Sequence, residues 1–343
     1  MRTRARLVPI ALAAAALVGL GASQATANTH GQAAAAADIT IDIKPALTSQ
    51  PVVKVVVAKP TKALKLGFAH PILSEPGAGT VSAGAKKVAR LVGAAYTVED
   101  AALDVSKQLQ IADSMLARGF DGIITIDLFA GTMNKFYESA DAKKVPNTTE
   151  YSNRPGAVGE DWKMPGRDAV AIILAKYPKG ATGVMLSDTP APVIVNREKG
   201  FRQAVAATGG KIKVLALQRN LKETLDGARA IAEALLTAHP DIQFVWGSND
   251  TGAIGMALAA QAAGKKGLII TGMNGSPEGV DAVKKGLIAA TWDANQNGQG
   301  QLLAINLLNW IATGKVAKAQ NVPFTKIDKS NAAQYIPWSE RAK

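Results

Sequence analysis

The strongest constraint on the fold is a repeated alternation of short apolar segments with segments of helical periodicity, which begins at residue 64. Residues 64–68 predict a strand, residues 81–92 a helix and residues 122–126 a buried strand. Strands that are separated by helices of ten or more residues form parallel sheets with right-handed crossovers. The alternation therefore predicts an α/β protein.

The alternation restarts near residue 170, after a first set of strands is complete. Two successive sets predict two doubly wound parallel-sheet lobes joined by a hinge. We place the first lobe at residues 63–158 plus 294–318 and the second at residues 159–293 plus 319–343. Ligands of such sheets bind beyond the carboxyl ends of the strands. Two facing lobes therefore predict a cleft that closes on a ligand.

The N-terminal residues have the three parts of a secretory signal peptide. Arg2, Arg4 and Arg6 precede an apolar run over residues 7–22, and a small-x-small tripeptide ends at Ala27. This order predicts cleavage after Ala27, with an uncleaved anchor as the alternative. Because the chain has no cysteine to carry a lipid anchor, we expect a periplasmic protein of a bacterium with two membranes.

The segment between the signal peptide and the first lobe has no clear periodicity. We predict that residues 28–62 form a linker or an N-terminal extension. Within them, residues 51–57 indicate either a strand or an extended segment bounded by proline. No later segment reaches 18 apolar residues, so the mature chain is expected to be soluble.

The chain is basic, with a formal net charge of +12, of which the three arginines of the signal peptide supply three. The other lysines and arginines are scattered and often adjoin acids, as in residues 197–199 and 222–223. A nucleic-acid-binding face would need a basic patch or stripe. We therefore expect a solvated basic surface and no nucleic-acid partner.

Few residues offer catalytic or metal chemistry. The absence of cysteine excludes disulfides, thiolate metal sites and cysteine nucleophiles. His30, His70 and His239 show no metal-ligand spacing. Residues 77–79 are not followed by a Walker-type Gly-Lys-Ser/Thr, and Ser187 lacks a surrounding Gly-x-Ser-x-Gly. We expect no catalysis, no cofactor and no bound metal.

Several motifs resemble those of a known family. The most specific is Leu-Leu-Thr-Ala-His-Pro-Asp at residues 235–241, followed by a strand and by Ser-Asn-Asp at residues 248–250. The other matching segments are residues 197–201, 271–278 and 286–291. From about residue 64 to residue 328, the chain resembles the periplasmic sugar-binding proteins of ABC importers, of the ribose-binding type.

The resemblance implies a type I periplasmic binding protein, whose two-lobe core is shared with lactose repressor-like regulators. Such a protein captures a sugar or a similar small polar solute by hinge closure and delivers it to an ABC permease in the membrane. The implied partners are the solute, the permease and, in some members, a chemoreceptor. We expect the protein to be a monomer.

Four residues correspond to, or lie near, ligand positions of the family. Asn249 matches the family's ligand asparagine, and Asn274 stands where the family usually has an aspartate. Tyr151 falls near the position of another aspartate, and Arg197 lies two positions after that of a ligand arginine. Both asparagines have an alternative role as helix caps or turn residues.

Other candidate ligand residues follow predicted strands or lie at predicted lobe crossings: His70, Glu75, Asp127, Trp162, Asp293 and Asn295. Cap, hinge and core roles are the alternatives for these residues. The stacking aromatics that family members often carry are missing from residues 71–76 and 220–223. This difference favours a polyol, a modified sugar or another small polar molecule over an ordinary pentose or hexose.

Three other functions compete with solute delivery. The first is a sensory receptor for chemotaxis or signalling, which would use the same binding site. The second is a lactose repressor-type regulator, which would need a helix-turn-helix where the signal peptide stands. The third is an exported hydrolase or isomerase, for which no catalytic constellation is present.

Overall fold

The computed structural model describes residues 38–129 and 131–343. The predicted signal peptide, residues 1–27, and the start of the predicted extension, residues 28–37, lie outside the described residues. Among the described helices, none is both long enough and apolar enough to span a bilayer.

The strands of the described residues are β1 (Ile39–Ile43), β2 (Val53–Val57), β3 (Lys65–His70), β4 (Ala95–Asp100), β5 (Gly122–Ile126), β6 (Asn147–Glu150), β7 (Val158–Glu160), β8 (Ala181–Asp188), β9 (Ile212–Asn220), β10 (Phe244–Gly247), β11 (Ile269–Thr271), β12 (Ala290–Asp293), β13 (Gln320–Val322) and β14 (Thr325–Asp328). The α-helices are α1 (Pro76–Val92), α2 (Val105–Ala117), α3 (Asn134–Ala142), α4 (Lys163–Lys176), α5 (Pro192–Ala206), α6 (Leu225–Ala238), α7 (Asp250–Ala262), α8 (Pro277–Lys284), α9 (Gln296–Thr313) and α10 (Trp338–Arg341). A short 3-10 helix covers Ala332–Gln334.

Two six-stranded sheets form the cores of two lobes. Lobe 1 contains a parallel sheet in the order β13-β7-β6-β5-β3-β4. Lobe 2 contains a sheet in the order β14-β12-β11-β10-β8-β9, in which only the edge strand β14 runs antiparallel to its neighbour. The predicted architecture of two α/β lobes with parallel sheets is confirmed.

The chain passes three times between the two six-stranded sheets, and the loop between β1 and β2 also reaches lobe 2, where Ala46 and Leu47 join its core. The chain leaves lobe 1 after β7, returns between β12 and α9, and leaves again between β13 and β14. The strand pairing places the boundaries slightly differently from the prediction. Because β7 and β13 hydrogen-bond to each other, lobe 1 extends to Glu160 and includes Gln320–Val322.

The segment that precedes lobe 1 is structured from residue 39 onward. Strands β1 and β2 form an antiparallel hairpin, in which Ile41 pairs with Val55. Ile41, Ile43 and Val57 are buried in the hydrophobic core of lobe 1. Of the two predicted alternatives for residues 51–57, the strand is therefore correct.

Helices α1 and α9 of lobe 1 approach each other closely where both carry glycine. A Cβ atom at Gly84 would lie 2.1 Å from the carbonyl oxygen of Asn297, and one at Gly300 would lie 1.9 Å from that of Val81. Helix α1 begins earlier than the predicted residue 81, because Glu75 caps it, and Asn295 caps α9. The close packing fixes the N-termini of both helices at the cleft between the lobes.

Candidate functional site

A cavity of about 90 Å³ lies at the carboxyl ends of the parallel strands of both sheets. Its lining comes from the ends of β5, β6, β8, β10 and β11 and from the first turns of α1, α5 and α9. This is the position at which doubly wound sheets bind ligands. The topology therefore places this cavity, which both apolar and polar side chains line, between the two lobes.

Five of the ten residues proposed from sequence line this cavity together: Glu75, Tyr151, Arg197, Asn249 and Asn274. They come from both lobes. The geometry thus brings together half of the predicted set, although these residues are up to 199 positions apart along the chain.

Asn249 and Asn274 follow neighbouring strands of lobe 2. The Oδ1 atom of Asn249 accepts a hydrogen bond from the backbone N–H of Gly252 (2.8 Å), so this residue also caps α7. Asn274 has a positive φ of 103°, and its buried Oδ1 atom has no hydrogen-bond partner. The Oδ1 atom of Asn274 is therefore free to accept a hydrogen bond at the cavity. The side chain of Asn249 both caps α7 and lines the cavity.

Asp250 orders the loop that carries Asn274. Its buried carboxylate accepts hydrogen bonds from the N–H of Ser276 (2.7 Å), the hydroxyl of Ser276 (2.9 Å) and the hydroxyl of Thr291 (2.6 Å). These contacts tie the start of α7 to the loop between β11 and α8 and to β12. Burial raises the pKa of Asp250 to about 7, although the three donors act in the opposite direction.

Glu75 and Tyr151 form the lobe 1 side of the cavity. An Oε atom of Glu75 accepts from the N–H of Ala78 (2.6 Å) at the start of α1, and burial raises the pKa of this carboxyl. Tyr151 adopts a positive φ of 58° directly after β6, and its hydroxyl donates to Glu160 (3.5 Å).

Arg197 of lobe 2 reaches across to lobe 1. Its guanidinium donates to the carbonyl oxygen of Ser248 (3.0 Å) and to a carboxylate oxygen of Glu160 in β7 (3.4 Å). The amide of Gln299 in α9 donates to the other oxygen of Glu160 (3.3 Å). The Arg197 and Glu160 side chains are 3% and 0% exposed, so this ion pair is buried where the lobes meet.

Five polar cavity residues were not among those predicted: Glu150, Asp188, Thr189, Glu223 and Gln296. Glu150 ends β6 and Asp188 ends β8, which is the same strand-end signal that selected Asp127. Burial raises the pKa of Glu150 well above its usual range and that of Asp188 to about 7. The hydroxyl of Ser248 donates to one oxygen of Asp188.

Two of the predicted residues that do not line the cavity are used locally in lobe 1. His70 is fully buried, with Nδ1 accepting from the N–H of Ile72 (3.2 Å) and Nε2 facing the carbonyl oxygen of Ala78 (3.0 Å). Burial lowers the pKa of His70 to about 4. The Asp127 carboxylate accepts from the backbone N–H of Gly131 (3.4 Å) and the hydroxyl of Thr132 (3.2 Å), and so closes its own loop.

The other three predicted residues that do not line the cavity lie at the lobe crossings. Asp293 forms a buried ion pair with Arg341, and Asn295 caps α9 and accepts from the same arginine (3.3 Å). The Trp162 ring packs against those of Tyr151 and Phe324, with centroids 5.7 and 6.4 Å apart. In each case the side chain contacts other residues of the protein and does not line the cavity.

Known proteins are similar to this chain in sequence. A profile of the periplasmic binding protein domain matches residues 66–315. The chain belongs to the periplasmic binding protein family. Among curated relatives, the ribose import binding protein RbsB of Salmonella typhimurium is 31% identical over 243 residues, which cover 68% of this chain and 79% of the relative. The relatives of this kind are binding proteins of importers rather than enzymes.

Solved structures share the fold of this periplasmic binding protein. The myo-inositol binding protein of Caulobacter, bound to myo-inositol, superimposes with a TM-score of 0.74 at 21% identity, covering 80% of this chain and 97% of that one. A periplasmic solute binding protein from Actinobacillus succinogenes 130z with bound D-allose gives a TM-score of 0.73 at 21% identity, covering 79% of this chain and 100% of that one. At this identity the likeness establishes the two-lobe fold.

Asp188 gives this periplasmic binding protein an expected pH dependence of stability. Its folded-state pKa is raised to about 7 by burial, whereas an unfolded aspartate has a pKa of about 3.9. Between these values the folded protein retains a proton that the unfolded chain has lost. The contribution of Asp188 to stability is therefore complete below about pH 4 and is lost as the pH rises towards 7.

The Asp188→Asn variant should consequently gain stability relative to the parent between pH 4 and pH 7. One unit of pKa corresponds to about 1.4 kcal/mol, so the gain should reach roughly 2–4 kcal/mol. Urea unfolding at both pH values measures it. Asp121→Asn is the control. Because the pKa of Asp121 is lowered in the folded protein, this variant should be less stable than the parent. Parallel pH curves for Asp188→Asn and the parent would contradict the expectation.

Proposed function

We propose that this protein is an exported solute-binding protein that captures a sugar, a polyol or a related small polar solute and delivers it to an ABC permease. The observation that carries the proposal is the cavity at the carboxyl ends of both sheets, whose polar lining comes from both lobes. Several of these polar atoms are buried without a partner, including Oδ1 of Asn274 and Oε1 of Gln296. A ligand with several hydroxyl or amine groups would satisfy them.

Capture should proceed by closure of the two lobes about their three crossings. Because each lobe contributes part of the lining, a ligand binds the closed state better than the open state and shifts the equilibrium towards it. The proposed lobes comprise the two sheets described above with the helices that connect their strands. Small-angle scattering of the protein with a saturating ligand should show a smaller radius of gyration than without it.

Export, location and assembly belong to the same proposal. The basic, apolar and small-residue order of residues 1–27 supports cleavage after Ala27 and a periplasmic location. We propose a monomer that contacts the permease and, as a second use of the closed form, a chemoreceptor. Mass spectrometry of the mature protein from its host should find Asn28 as the first residue.

A thermal-shift screen tests the binding function directly. Ribose, allose, xylitol and myo-inositol are the first probes, because relatives and structural neighbours are binding proteins for these or similar compounds. A ligand present at a hundred times its dissociation constant adds about 2.7 kcal/mol to the free energy of unfolding. A protein that binds none of a broad set of sugars, polyols and amino derivatives would contradict the proposal.

Asn249→Ala should weaken binding of a probe from this screen by about tenfold or more. The amide of Asn249 is proposed to hydrogen-bond the ligand, and a buried polar group that loses its partner costs about 1–3 kcal/mol. Isothermal titration calorimetry measures the change in Kd. Because Asn249 also caps α7, the variant should lose some stability as well.

Asp104→Ala is the matched control. Asp104 caps α2 through its carboxylate, which accepts from the N–H of Lys107 (3.0 Å), and its side chain does not line the cavity. It should lose a similar amount of stability, about 1 kcal/mol, while Kd stays unchanged. An Asn249→Ala variant that binds the probe as well as the parent would restrict Asn249 to the role of a helix cap.

A further inference from the structure

The cavity has an excess of acidic side chains over basic ones. Four carboxylic side chains line it: Glu75, Glu150, Asp188 and Glu223. Among the described residues that line it, Arg197 is the one cationic side chain. These carboxyl groups can accept hydrogen bonds from the hydroxyls of a neutral sugar, but a cationic ligand would in addition compensate their charge.

The charge of Arg197 is already engaged elsewhere. Its guanidinium pairs with Glu160, a further buried carboxyl group that does not line the cavity. The nearby Arg219 is held by Glu198 (2.8 Å), and it contacts Asp188 only through the backbone carbonyl oxygen (2.9 Å). Neither arginine therefore neutralises the carboxylates that line the cavity.

Unpartnered acceptor atoms lie on both sides of the cavity. Oε1 of Glu150 in lobe 1 and Oδ1 of Asp188 in lobe 2 are buried without a hydrogen-bond partner, and each residue is 1% exposed. Oδ1 of Asn274 and Oε1 of Gln296 are also unpartnered. The Nε–H of Arg197 is the one buried donor without a partner among the described residues that line the cavity, so a ligand must bring mainly donors. An ammonium group brings three donors, no acceptor and a positive charge, whereas a hydroxyl brings one donor and two lone pairs.

We infer that the ligand carries a protonated amine, which Glu150 and Asp188 bind from opposite lobes. The inference rests on the proposed function and narrows it to amino sugars, amino polyols and related hydroxylated amines. An ammonium group between the two lobes would favour the ionised form of both carboxyls and make charge-assisted hydrogen bonds to them. Tyr151 and Phe129 also line the cavity, and aromatic rings attract ammonium groups. The amine thereby links charge recognition to lobe closure.

Matched pairs of probes that differ in one amine test the inference. The pairs are glucosamine and glucose, galactosamine and galactose, 1-amino-1-deoxyglucitol and glucitol, and scyllo-inosamine and scyllo-inositol. In calorimetric titrations at pH 7, at least one amine should bind tenfold or more tightly than its hydroxyl partner. Acetylation removes the charge, so N-acetylglucosamine and N-acetylgalactosamine should lose the gain.

Two isosteric variants connect the preference to the named carboxyls. Glu150→Gln and Asp188→Asn should each lower the ratio of the affinity for the best-binding amine to the affinity for its hydroxyl partner at least tenfold. The control is Asp226→Asn, which removes an exposed carboxylate in the first turn of α6 outside the cavity. It should change neither affinity. Thermal unfolding of each variant verifies that it is folded.

Each outcome decides the question. If a neutral sugar or polyol binds and its amine counterpart binds equally or more weakly, the amine inference is wrong and the solute-binding function stands. If an amine binds more tightly but both variants retain the preference, Glu150 and Asp188 are not its partners and the inference is wrong in its site. If no member of the panel binds, both the inference and the proposed function are overturned.

Discussion

Replacement of Arg341 by alanine should lower the free energy of unfolding by about 3–5 kcal/mol, because it leaves a buried charge without its partner. Arg341 lies in the C-terminal helix α10, and its guanidinium makes two parallel hydrogen bonds to the carboxylate of Asp293. Both side chains are 0% exposed. Without the arginine, Asp293 retains only the N–H of Asn295 (2.6 Å) and the indole of Trp338 (3.3 Å).

The contacts of Arg341 also explain why the C-terminus matters at the crossings. Its carbonyl oxygen accepts from Lys87 in α1 (3.2 Å), and the neighbouring Tyr335 donates to the carbonyl oxygen of Gly275 in lobe 2 (2.7 Å). The last residues thus connect both lobes at the side of the molecule where the chain crosses from β12 to α9.

Urea unfolding of three variants tests this role. Lys343→Ala is the control, because Lys343 and Glu340 form an exposed pair whose side chains are 68% and 50% exposed. Such pairs contribute about 0–1 kcal/mol. The double variant Arg341→Met/Asp293→Asn should recover much of the loss, since it removes both charges. A loss below about 1 kcal/mol for Arg341→Ala would show that water reaches Asp293.

The fold could be predicted from the sequence because its main signal is local. Strands such as β5, with five consecutive buried residues, and the helices between them carry their own periodicity. The hairpin of β1 and β2 was harder to predict, because each strand has only five residues and their pairing partners lie on average 14 positions apart across a proline-containing loop. Its burial depends on the core of lobe 1, which the local sequence does not reveal.

The candidate site was only partly predictable, for a related reason. Strand ends identify residues that lie near the cleft, and Asn249, Asn274 and Tyr151, which the family resemblance selected, all follow strands. This position does not show which strand-end residues find partners elsewhere. Asp293 is neutralised by Arg341, which lies 48 positions later, and this pairing removes it from the cavity. Asp188 has the same signal without such a partner, so the difference arises only from tertiary contacts.

The burial of some acidic residues of the cavity also could not be predicted from the sequence. Glu150 follows the polar residues Asn147, Thr148 and Thr149, a run that does not indicate a buried strand. The structure nevertheless buries all four residues of β6 between β5 and β7. Threonine supplies part of the explanation, because its hydroxyl can be satisfied internally, as Thr149 is by Tyr137 (3.0 Å). Glu150 has no such partner, which makes it the least expected residue of the cavity.

Arg197→Ala should destabilise the protein by about 3–5 kcal/mol, as removal of one member of a buried ion pair does elsewhere. Its partner Glu160 would keep only Gln299 and the long contact from Tyr151, in surroundings that already raise the pKa of its carboxyl through burial. Arg202→Ala is the matched control, because Arg202 lies on the same helix α5 and is exposed. It should change the free energy of unfolding by less than about 0.5 kcal/mol.

The double variant Arg197→Met/Glu160→Gln separates charge from packing. If the loss in Arg197→Ala comes from an uncompensated carboxylate, a neutral pair of similar size should restore most of the stability, and urea unfolding at pH 7 should show this. Lowering the pH should also stabilise Arg197→Ala relative to the parent, because protonation of Glu160 removes the charge that the variant leaves without a partner. Two results would contradict this account: equal instability of Arg197→Ala at pH 5 and pH 7, and a double variant that is no more stable than Arg197→Ala. Arg197 would then stabilise the junction of the lobes by packing and by its hydrogen bond to Ser248, and not by neutralising Glu160.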